Sequence, residues 1–306
     1  MGYINQRIAY GNTLVELGRE NKNIVVLDAD LGGSTMGKLF ELEYPERHFE
    51  VGIAEANMMS MAAGFAQTGK IAFANSFAVF ASGRAYDQIR QTISIGKLNV
   101  KIIGSSAGLS DFGDGSTHQS VEDLAIMRAI PNLMVISPAD ANETVQATKA
   151  IAQYNGPVYM RLNRHDYDNV TQEDQEFVIG QPAVLREGKD IVVFATGKTV
   201  GMALEAATKS SCDLKVVNVS TIKPLNDSKI LELAQDVKAV VCVEEHSIIG
   251  GLGSAVAEAL RRSGKVIEFV GIKDSFGCSA LGYDELLRHY GITVEAILEA
   301  AEEVSN

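Results

Sequence analysis

The fold of this chain is decided in residues 49–59, which read Phe49-Glu50-Val51-Gly52-Ile53-Ala54-Glu55-Ala56-Asn57-Met58-Met59. Val51 and Ile53 are β-branched and alternate with smaller residues, which predicts a short strand. From Met58 onward the apolar residues instead recur at the spacing of a helix. We therefore predict a strand that runs into a helix, with the carboxylate of Glu55 at the junction. The helical apolar positions are Met58, Met59, Met61, Ala62, Phe65 and Ala66.

Glu55 has two interpretations. The turn between a strand and a helix in an α/β sheet is a common place for ligand chemistry. If the neighbouring Met and Phe side chains enclose Glu55, lost hydration disfavours its charged form, which suits a carboxyl group that shares a proton with a ligand. The commoner alternative is an acid in the first helical turn, where it interacts favourably with the helix dipole. The stretch alone leaves both open.

The first half of the chain alternates predicted helices and strands on both sides of this stretch. Buried apolar strands separated by helical patterns indicate a doubly wound, mostly parallel sheet. In such a sheet the loops at the carboxyl ends of the strands gather the ligand-binding residues. The predicted strands are 24–27, 71–74, 100–103, 134–136 and 158–160, and the further helices are 4–17, 82–95, 122–129 and 141–153.

The composition changes after residue 165. Residues 166–188 are polar, acidic and without clear periodicity, which indicates a linker. A second α/β unit follows, with predicted strands 191–194, 214–219, 239–243 and 266–269 and closing helices 283–289 and 294–302. We therefore predict two doubly wound α/β domains with mostly parallel sheets, residues 1–165 and 189–306, joined by the linker.

The composition also narrows the classes of ligand. Of 306 residues, 46% are apolar and 22% charged, and 27 Lys and Arg stand against 39 Asp and Glu, a net charge of −12. This surplus of acids argues against extended contact with nucleic acid or an anionic membrane, whereas local arginines still allow a small anionic ligand. The start of the sequence has no apolar signal core, no apolar run reaches membrane-spanning length, and the three cysteines form no CxxC pair. We expect a cytoplasmic protein with reduced thiols.

The loop between residues 104 and 120 is long and rich in glycine, so it is either functional or mobile. Its Gly113-Asp114-Gly115, with Asn142 downstream, imitates a metal-diphosphate motif. Because that motif has to end a strand and open a helix, we interpret this one as a decoy. We expect Asp114 and His118 to point into a polar pocket, as a hydroxyl-binding acid and a proton-transfer group. A hydrogen-bonded surface pair is the alternative.

Aromatic and basic residues lie near the ends of several predicted elements. Phe77 and Phe80 are either core residues or a wall on which a planar heterocycle stacks. Glu244-Glu245-His246 lies on a predicted strand, where consecutive side chains face opposite ways, so we do not expect a metal site there. Four arginines are candidates for binding a phosphate through two hydrogen bonds, although each one alone is typical of a surface cation. They are Arg7, Arg84, Arg161 and Arg164.

Taken together, these segments resemble the pyrimidine-binding domain of transketolases. The resemblance is carried by Gly52-Ile53-Ala54-Glu55-x-Asn57-Met58, by Ser76-Phe77-Ala78-Val79-Phe80-Ala81-x-Gly83-Arg84-Ala85-Tyr86-Asp87-Gln88 and by Gly113-Asp114-Gly115-x-x-His118-Gln119. It continues through Gly156-Pro157-Val158-Tyr159-Met160-Arg161-Leu162, Phe276-Gly277-x-Ser279 and Tyr290-Gly291, so it covers nearly the whole chain. The length is similar to that of the separately encoded carboxyl-terminal subunit of a split transketolase.

The resemblance implies that the chain binds the pyrimidine half of thiamine diphosphate. Glu55 would hydrogen-bond the pyrimidine ring nitrogen and favour the imino tautomer that generates the ylid, so that the cofactor carries the difficult chemistry. Phe77 and Phe80 would pack on the pyrimidine, and Asp30 and Ile53 would lie beside the cofactor. The diphosphate and its Mg²⁺ or Ca²⁺ would be held by a partner chain, so the resemblance implies no metal ligand here.

The resemblance also implies roles toward a sugar substrate. Asp114 and His118 would bind hydroxyl groups of the donor, with His118 assisting proton transfer. Arg7, Ser34 and Arg164 match positions that hold the sugar phosphate. A further phosphate candidate is Arg161, which together with Arg84 matches arginines typical of the related deoxyxylulose-phosphate synthases.

Two departures from the family concern the phosphate end of the substrate. Ser106 stands where a phosphate-contacting histidine is usual, and Phe112-Gly113-Asp114-Gly115 stands where Gly-Glu-Asp-Gly is usual. Serine has neither the positive charge of an imidazolium nor its reach. The phosphate is therefore expected to bind differently, or the sugar is not the usual pentose or hexose phosphate.

The resemblance thus predicts the carboxyl-terminal subunit of a thiamine-diphosphate-dependent transketolase. The subunit would transfer a two-carbon ketol unit from a ketose phosphate to an aldose acceptor, and only with an amino-terminal partner that carries the diphosphate-binding Gly-Asp-Gly motif. The expected assembly contains two copies of each chain. Alternatives are a subunit similar to deoxyxylulose-phosphate synthase or to the β chain of a 2-oxoacid dehydrogenase, and a non-catalytic partner subunit.

Overall fold

The computed structural model describes residues 4–305 and contains two α/β units, each built on its own sheet. Both sheets are mostly parallel, and apolar clusters lie on both faces of each. Parallel sheets need helices on both faces, because their strands expose apolar side chains in both directions. The predicted fold class of two doubly wound α/β domains is therefore confirmed.

The first sheet contains seven strands, which are β1 Ile24–Asp28, β2 His48–Glu50, β3 Ile71–Phe77, β4 Val100–Ser105, β5 Met134–Ile136, β6 Val158–Arg161 and, from the second half of the chain, β10 Thr221–Lys223. Their order across the sheet is β10-β5-β6-β4-β3-β1-β2. Every neighbouring pair is parallel except β10 and β5, which are antiparallel. The carboxyl ends of six strands therefore meet at one edge of the sheet.

Helices cover both faces of the first sheet. On one face Tyr10, Phe40 and Phe73 belong to one apolar cluster, and on the other Met58 and Met59 belong to a second. The second cluster continues into the other half of the molecule, so the two units share one core. The helices are α1 Gln6–Glu20, α2 Gly32–Thr35, α3 Gly37–Glu43, α4 Glu55–Gln67, α5 Tyr86–Gln88, α6 Asp123–Ala129 and α7 Ala141–Gln153.

The second sheet contains five strands, which are β7 Ala183–Arg186, β8 Ile191–Ala195, β9 Leu214–Asn218, β11 Ala239–Ser247 and β12 Val266–Ile272. Their order is β12-β11-β8-β9-β7, and β7 alone runs antiparallel, to β9. The helices of this unit are α8 Thr199–Lys209, α9 Asp227–Ala234, α10 Leu252–Leu260, α11 Tyr283–His289 and α12 Val294–Ser305.

The stretch at Glu55 differs from its prediction in one respect. Strand β2 ends at Glu50, so the prediction that Val51 and Ile53 belong to a strand is wrong. Gly52 has φ of 69°, a left-handed conformation that interrupts an extended chain and is readily adopted by glycine. Ile53 is consequently 73% exposed. The helix is confirmed, since α4 begins at Glu55.

The predicted helix over 82–95 begins two residues earlier and is irregular. Two π-helical segments, Phe80–Arg84 and Ile89–Ser94, flank α5. A π-helical turn inserts an extra residue into the helix and is often found at functional sites. The first of these segments carries Phe80 at its beginning and Arg84 at its end.

Two strands were not anticipated, and both lie at sheet edges. Strand β7 falls within residues 166–188, the segment predicted as a linker. Strand β10 follows β9 in the second half of the chain but pairs with β5 of the first sheet, and the Ser137 N–H donates to the Ser220 carbonyl beside this pairing at 2.8 Å. Strand β10 contains a single apolar residue, Ile222, and β7 lies in an otherwise polar segment, so neither carried a clear strand pattern. The two units are thus joined by a shared sheet as well as by the chain.

Two general expectations concern the described chain as a whole. Cys212, Cys242 and Cys278 are all free thiols. Within residues 4–305 no helix combines the length and the apolarity that crossing a membrane requires.

Candidate active site

Glu55 is the first residue of α4, and its side chain is only 4% exposed. The turn that leads to it is fixed by Glu50, at the end of β2. The Glu50 carboxylate accepts hydrogen bonds from the N–H groups of Asp30, at 2.7 Å, and Gly52, at 2.9 Å. One acid therefore joins the loop after β1 to the turn after β2. This arrangement brings Asp30 and Glu55 to the same edge of the sheet.

A cavity with a volume of about 270 Å³ opens at this edge. Its walls come from four different segments of the first unit, namely the loop after β1, the turn before α4, the first π-helical segment and the loop after β4. Such a cavity at the carboxyl ends of parallel strands is where an α/β sheet binds its ligands. The lining residues are Ala29, Asp30, Leu31, Ile53, Glu55, Phe80, Arg84, Thr117 and His118.

One wall of the cavity carries the Phe80 ring, and Phe77 packs against that ring without itself lining the cavity. The rings of Phe77 and Phe80 stack with centroids 6.0 Å apart and an interplanar angle of 16°. His118 stands edge-on to this stack, 5.2 Å from the Phe80 ring and 6.3 Å from the Phe77 ring. Phe77 is buried at the end of β3, and Phe80 is half-buried. A flat apolar wall of this kind suits a planar heterocyclic ring.

Arg84 is the polar partner of Glu55. Its Nη1 lies 3.2 Å from Glu55 Oε1, and its guanidinium lies over the Phe80 ring, 4.1 Å from the ring centroid. The Arg84 side chain is 53% exposed, so it reaches the buried acid from the solvent side. The two residues are 29 positions apart in the sequence. The acid, the aromatic wall and this cation therefore form one continuous surface.

Asp28 supports this site from beneath the cavity. Its buried carboxylate accepts a hydrogen bond from the Thr35 hydroxyl at 2.6 Å and lies 3.0 Å from His48 Nε2. Burial raises the pKa of Asp28, and the hydrogen bonds from His48 and Thr35 oppose that rise. Gly37 is required here, because a β-carbon at this position would lie 1.9 Å from the Asp28 carboxylate. The network fixes the loop that carries Asp30 and Ser34.

Three of the residues predicted to hold a phosphate lie together. Arg7 Nη1 donates to the Ser34 carbonyl at 2.8 Å, and Arg7 Nη2 donates to the Arg164 carbonyl at 3.1 Å. Burial and the nearby Arg164 cation lower the pKa of Arg7 to about 10. Arg164 in turn forms an ion pair with Asp111 at 2.8 Å. We name Arg7, Ser34, Arg164 and Asp111 the anion cluster.

Arg161, the fourth phosphate candidate, is not part of the anion cluster. Its Nε and Nη2 donate to the two carboxylate oxygens of Asp123, each at 3.0 Å, and its Nη1 donates to the Glu245 carbonyl at 3.2 Å. The side chain is buried, with only 7% of it exposed. The expectation that it binds a substrate phosphate is therefore corrected, because its donors already hold the two units together.

The glycine-rich loop carries His118 to the cavity, but not Asp114. His118 is half-buried and lines the cavity, whereas Asp114 is exposed and lies outside the lining. The loop is anchored by Gln119, whose side-chain amide donates to the carbonyls of Asp111 and Cys278. Gly113-Asp114-Gly115 lies within this loop and opens no α-helix. Within residues 4–305 no cluster of His, Cys, Asp or Glu side chains is arranged to hold a metal ion.

Glu244-Glu245-His246 proves to be structural. Glu244 accepts from the N–H groups of Leu252 and Gly253 at the start of α10, at 2.7 and 2.8 Å. Glu245 accepts from the Tyr283 hydroxyl at 2.5 Å and, from the first unit, from the Leu109 N–H at 2.6 Å and the Asn163 side-chain amide at 3.1 Å. Neighbouring side chains on this strand therefore face opposite ways, as predicted.

Two residues of the site were not singled out from the sequence. Glu50 was detectable in principle, because it is an acid that directly follows a strand at the ligand-binding edge. Asp111 was detectable only as a departure from the family pattern within the glycine-rich loop. The pairing of Arg84 with Glu55 has no local signal, since it depends on the approach of two separate helices.

The comparisons with known proteins agree with this geometry. Residues 3–170 match the transketolase pyrimidine-binding domain family, and residues 180–304 match the transketolase C-terminal domain family. A putative transketolase C-terminal section from Methanocaldococcus jannaschii is 47% identical over 302 residues, which cover 96% of this chain and 94% of that protein. A 6-deoxy-6-sulfo-D-fructose transketolase subunit from a Clostridium strain is 41% identical, over 98% of this chain and 94% of that protein.

Two further similarities extend the comparison. A subunit of an apulose-4-phosphate transketolase from Phocaeicola vulgatus is 34% identical, over 97% of this chain and 96% of that protein. Among solved structures, a split gene transketolase described as an inactive β4 tetramer superposes with a TM-score of 0.90 at 44% identity, over 99% of both chains. The chain therefore belongs to the transketolase family and is a C-terminal section of the split-gene type.

Proposed function

We propose that this chain is the pyrimidine-binding subunit of a thiamine-diphosphate-dependent transketolase. With an amino-terminal partner it transfers a two-carbon ketol unit from a ketose to an aldose acceptor. The observation that carries the proposal is the buried Glu55 carboxylate at the wall of a cavity beside the Phe77–Phe80 stack. The split-gene relatives support the need for a partner, and the similar β4 tetramer that is inactive supports it further.

The residues present fit the pyrimidine half of the cofactor. A planar aminopyrimidine needs a flat apolar surface and an acid at its edge, and the aromatic wall and Glu55 supply these. When bound, thiamine diphosphate supplies the electron sink for breaking and forming the carbon–carbon bond. The partner's Gly-Asp-Gly motif is proposed to hold the diphosphate with Mg²⁺ or Ca²⁺. Asp30 and Ile53 line the same cavity and are proposed to border the cofactor.

Each protein group then has a limited task. Glu55 shares a proton with the ring nitrogen through Oε2, because Arg84 engages only Oε1. Phe77 and Phe80 fix the plane of the ring. His118, at the mouth of the cavity, moves a proton to or from a substrate hydroxyl, and Asp114 binds a hydroxyl beside it. The anion cluster holds the charged end of the sugar.

The assembly is proposed to contain two copies of each subunit in the cytoplasm. Each active site needs one pyrimidine site from this chain and one diphosphate site from the partner. Exposed residues around the cavity, Ile53 among them, are proposed to lie at this interface.

Reconstitution tests the proposal directly. This chain and its amino-terminal partner are purified separately and assayed for ketol transfer alone and mixed, with thiamine diphosphate and Mg²⁺. We expect transfer only in the mixture, at a rate that saturates near one partner per chain. Ketol transfer by this chain alone would contradict the split active site, and turnover of pyruvate without ketol transfer would favour a synthase or dehydrogenase subunit instead.

A further inference from the structure

The anion cluster contains two guanidinium groups close together. Arg7 lies on α1, and Arg164 follows β6, and the hydrogen bond from Arg7 to the Arg164 carbonyl holds the two segments in contact. The positive charge of Arg164 contributes to lowering the pKa of Arg7 to about 10, after the larger effect of burial. An anion bound between them would therefore relieve a repulsion that the folded chain otherwise retains.

A buried acid already neutralises one of these charges. Asp111 is 4% exposed, and its carboxylate lies 2.8 Å from Arg164 Nη1. Asp166 also acts on Arg7, but it is exposed, so water and salt screen its charge. Among the buried and half-buried groups of the cluster, the two guanidinium charges of Arg7 and Arg164 are partly balanced by the single carboxylate charge of Asp111. The cluster thus presents a net charge close to a single positive unit.

Hydrogen-bond donors remain for a group with several oxygen atoms. Arg7 Nε is buried and has no hydrogen-bond partner within residues 4–305. Arg164 is half-exposed and uses Nη1 toward Asp111, which leaves its other N–H groups accessible. Ser106, where the family resemblance leads us to expect a phosphate-contacting histidine, carries no positive charge. The donor set therefore suits an oxyanion, whereas the charge suits a monoanion.

We infer that the sugar handled by this site carries a terminal sulfonate rather than a phosphate, and that Asp111 sets this preference. The inference rests on the proposed function and names its substrate class. A sulfonate and a phosphate both present three oxygen atoms to the donors, but a sulfonate carries one negative charge, whereas a phosphate ester carries about −1.5 to −2 near neutral pH. The second charge would face Asp111 in a partly desolvated site, where like charges repel strongly.

A matched series of ketoses tests the inference on the reconstituted complex. The donors differ only at the terminal carbon, which carries a hydroxyl, a sulfonate or a phosphate. We expect kcat/KM for the sulfonate to exceed that for the phosphate by at least about tenfold. A preference for the phosphate of similar size would overturn the inference.

The Asp111→Asn variant tests the role assigned to the acid. The introduced amide keeps the size of the side chain and an oxygen that can accept from Arg164, but it removes the charge. We expect kcat/KM for the phosphate sugar to rise about tenfold relative to that for the sulfonate sugar. The control is Asp168→Asn, which removes an exposed charge from the same part of the chain and should leave the ratio unchanged. An unchanged sulfonate-to-phosphate ratio in Asp111→Asn contradicts the inference.

A binding measurement separates this inference from the proposed function. Isothermal titration of the complex with methanesulfonate and with methyl phosphate requires no turnover. Wild type should bind the sulfonate more tightly, and Asp111→Asn should reduce or reverse that order. If no ketose is turned over but this order holds, the proposed reaction fails and the charge preference stands. If ketol transfer occurs but methyl phosphate binds wild type more tightly, the charge preference fails alone.

Discussion

Two arginine–carboxylate pairs in the first unit have similar separations and opposite surroundings. Arg84 and Glu55 are 3.2 Å apart, and Arg161 and Asp123 are 3.0 Å apart. The Arg84 side chain is 53% exposed, however, whereas that of Arg161 is 7% exposed. Asp123 accepts hydrogen bonds from Nε and Nη2 of Arg161 and from the Tyr159 hydroxyl, the last at 2.7 Å.

The two acids differ in how many hydrogen bonds their carboxylates receive. Every oxygen of Asp123 has a buried donor, so the pair is complete and serves the fold. Within residues 4–305 the Glu55 carboxylate receives its hydrogen bond from Arg84 alone, and it borders a cavity. A buried acid that is incompletely satisfied in this way is available to a ligand. Hydrogen-bond saturation, rather than burial, thus separates the functional acid from the structural one.

Glu55→Gln should produce the largest effect, because it removes the proposed proton-sharing group. We expect kcat of the reconstituted complex to fall by about 10²–10⁴-fold, with the complex still assembled by size-exclusion chromatography. Stability should not decrease, since the variant no longer buries a charge. The control Glu43→Gln changes an exposed acid at the end of α3 and should keep full activity. Undiminished turnover in Glu55→Gln would favour the non-catalytic alternative.

Asp123→Ala should have the largest effect on stability. It leaves the Arg161 cation buried without its carboxylate, which typically costs about 3–5 kcal/mol. Urea denaturation should show this loss, whereas Asp236→Ala, at an exposed position, should change little. Combining Asp123→Ala with Arg161→Met should recover part of the stability, because no unpaired charge remains. If Asp123→Ala lost less than about 1 kcal/mol in free energy of unfolding, the Arg161–Asp123 pair would not be the structural counterpart of the Arg84–Glu55 pair.

The pH dependence of stability extends the comparison to a third buried acid, Glu143. Its carboxylate accepts from Asn218 and Ser220 of the second unit, and burial raises its pKa. A raised folded-state pKa means that stability is gained as pH falls through that value toward the ordinary value of 4.5. We expect Glu143→Gln, which cannot take up this proton, to lose stability relative to wild type as pH falls. Parallel stability curves for the two proteins as the pH falls from neutral toward 4.5 would contradict this assignment.

Arg84→Ala should have the smallest effect on stability. Ion pairs with one exposed partner contribute about 0–1 kcal/mol to stability, because solvent screens the charge of the exposed cation. Urea denaturation of the isolated chain should therefore place this variant within about 1 kcal/mol of wild type. A loss as large as that of Asp123→Ala would show that both arginines are structural.

The sequence was most informative where patterns are long. The alternation of apolar strands and helices predicted both parallel sheets, because most of the buried strands carry a run of apolar residues. It also predicted the helix at Glu55. The turn before that helix was misassigned, because Val51 and Ile53 alternate as a strand does while Gly52 bends the chain.

The site was predictable in part, and only with the family resemblance. Glu55, Phe80, Asp30 and His118 do line one cavity, and Arg7 and Arg164 do lie together. Their catalytic and binding roles remain proposals. Arg161 could not be distinguished from its neighbours, because its partner Asp123 is 38 residues away and is brought near only by the packing of α6 against the sheet.

Strand β10 has a consequence for any attempt to dissect the protein. It belongs by sequence to the second unit, yet it completes the first sheet beyond β5. A fragment ending near residue 180 would leave the edge of β5 uncovered, and bare edges recruit other chains into aggregates. Heating the intact protein should accordingly melt both halves in a single calorimetric transition, whereas the amino-terminal fragment should precipitate.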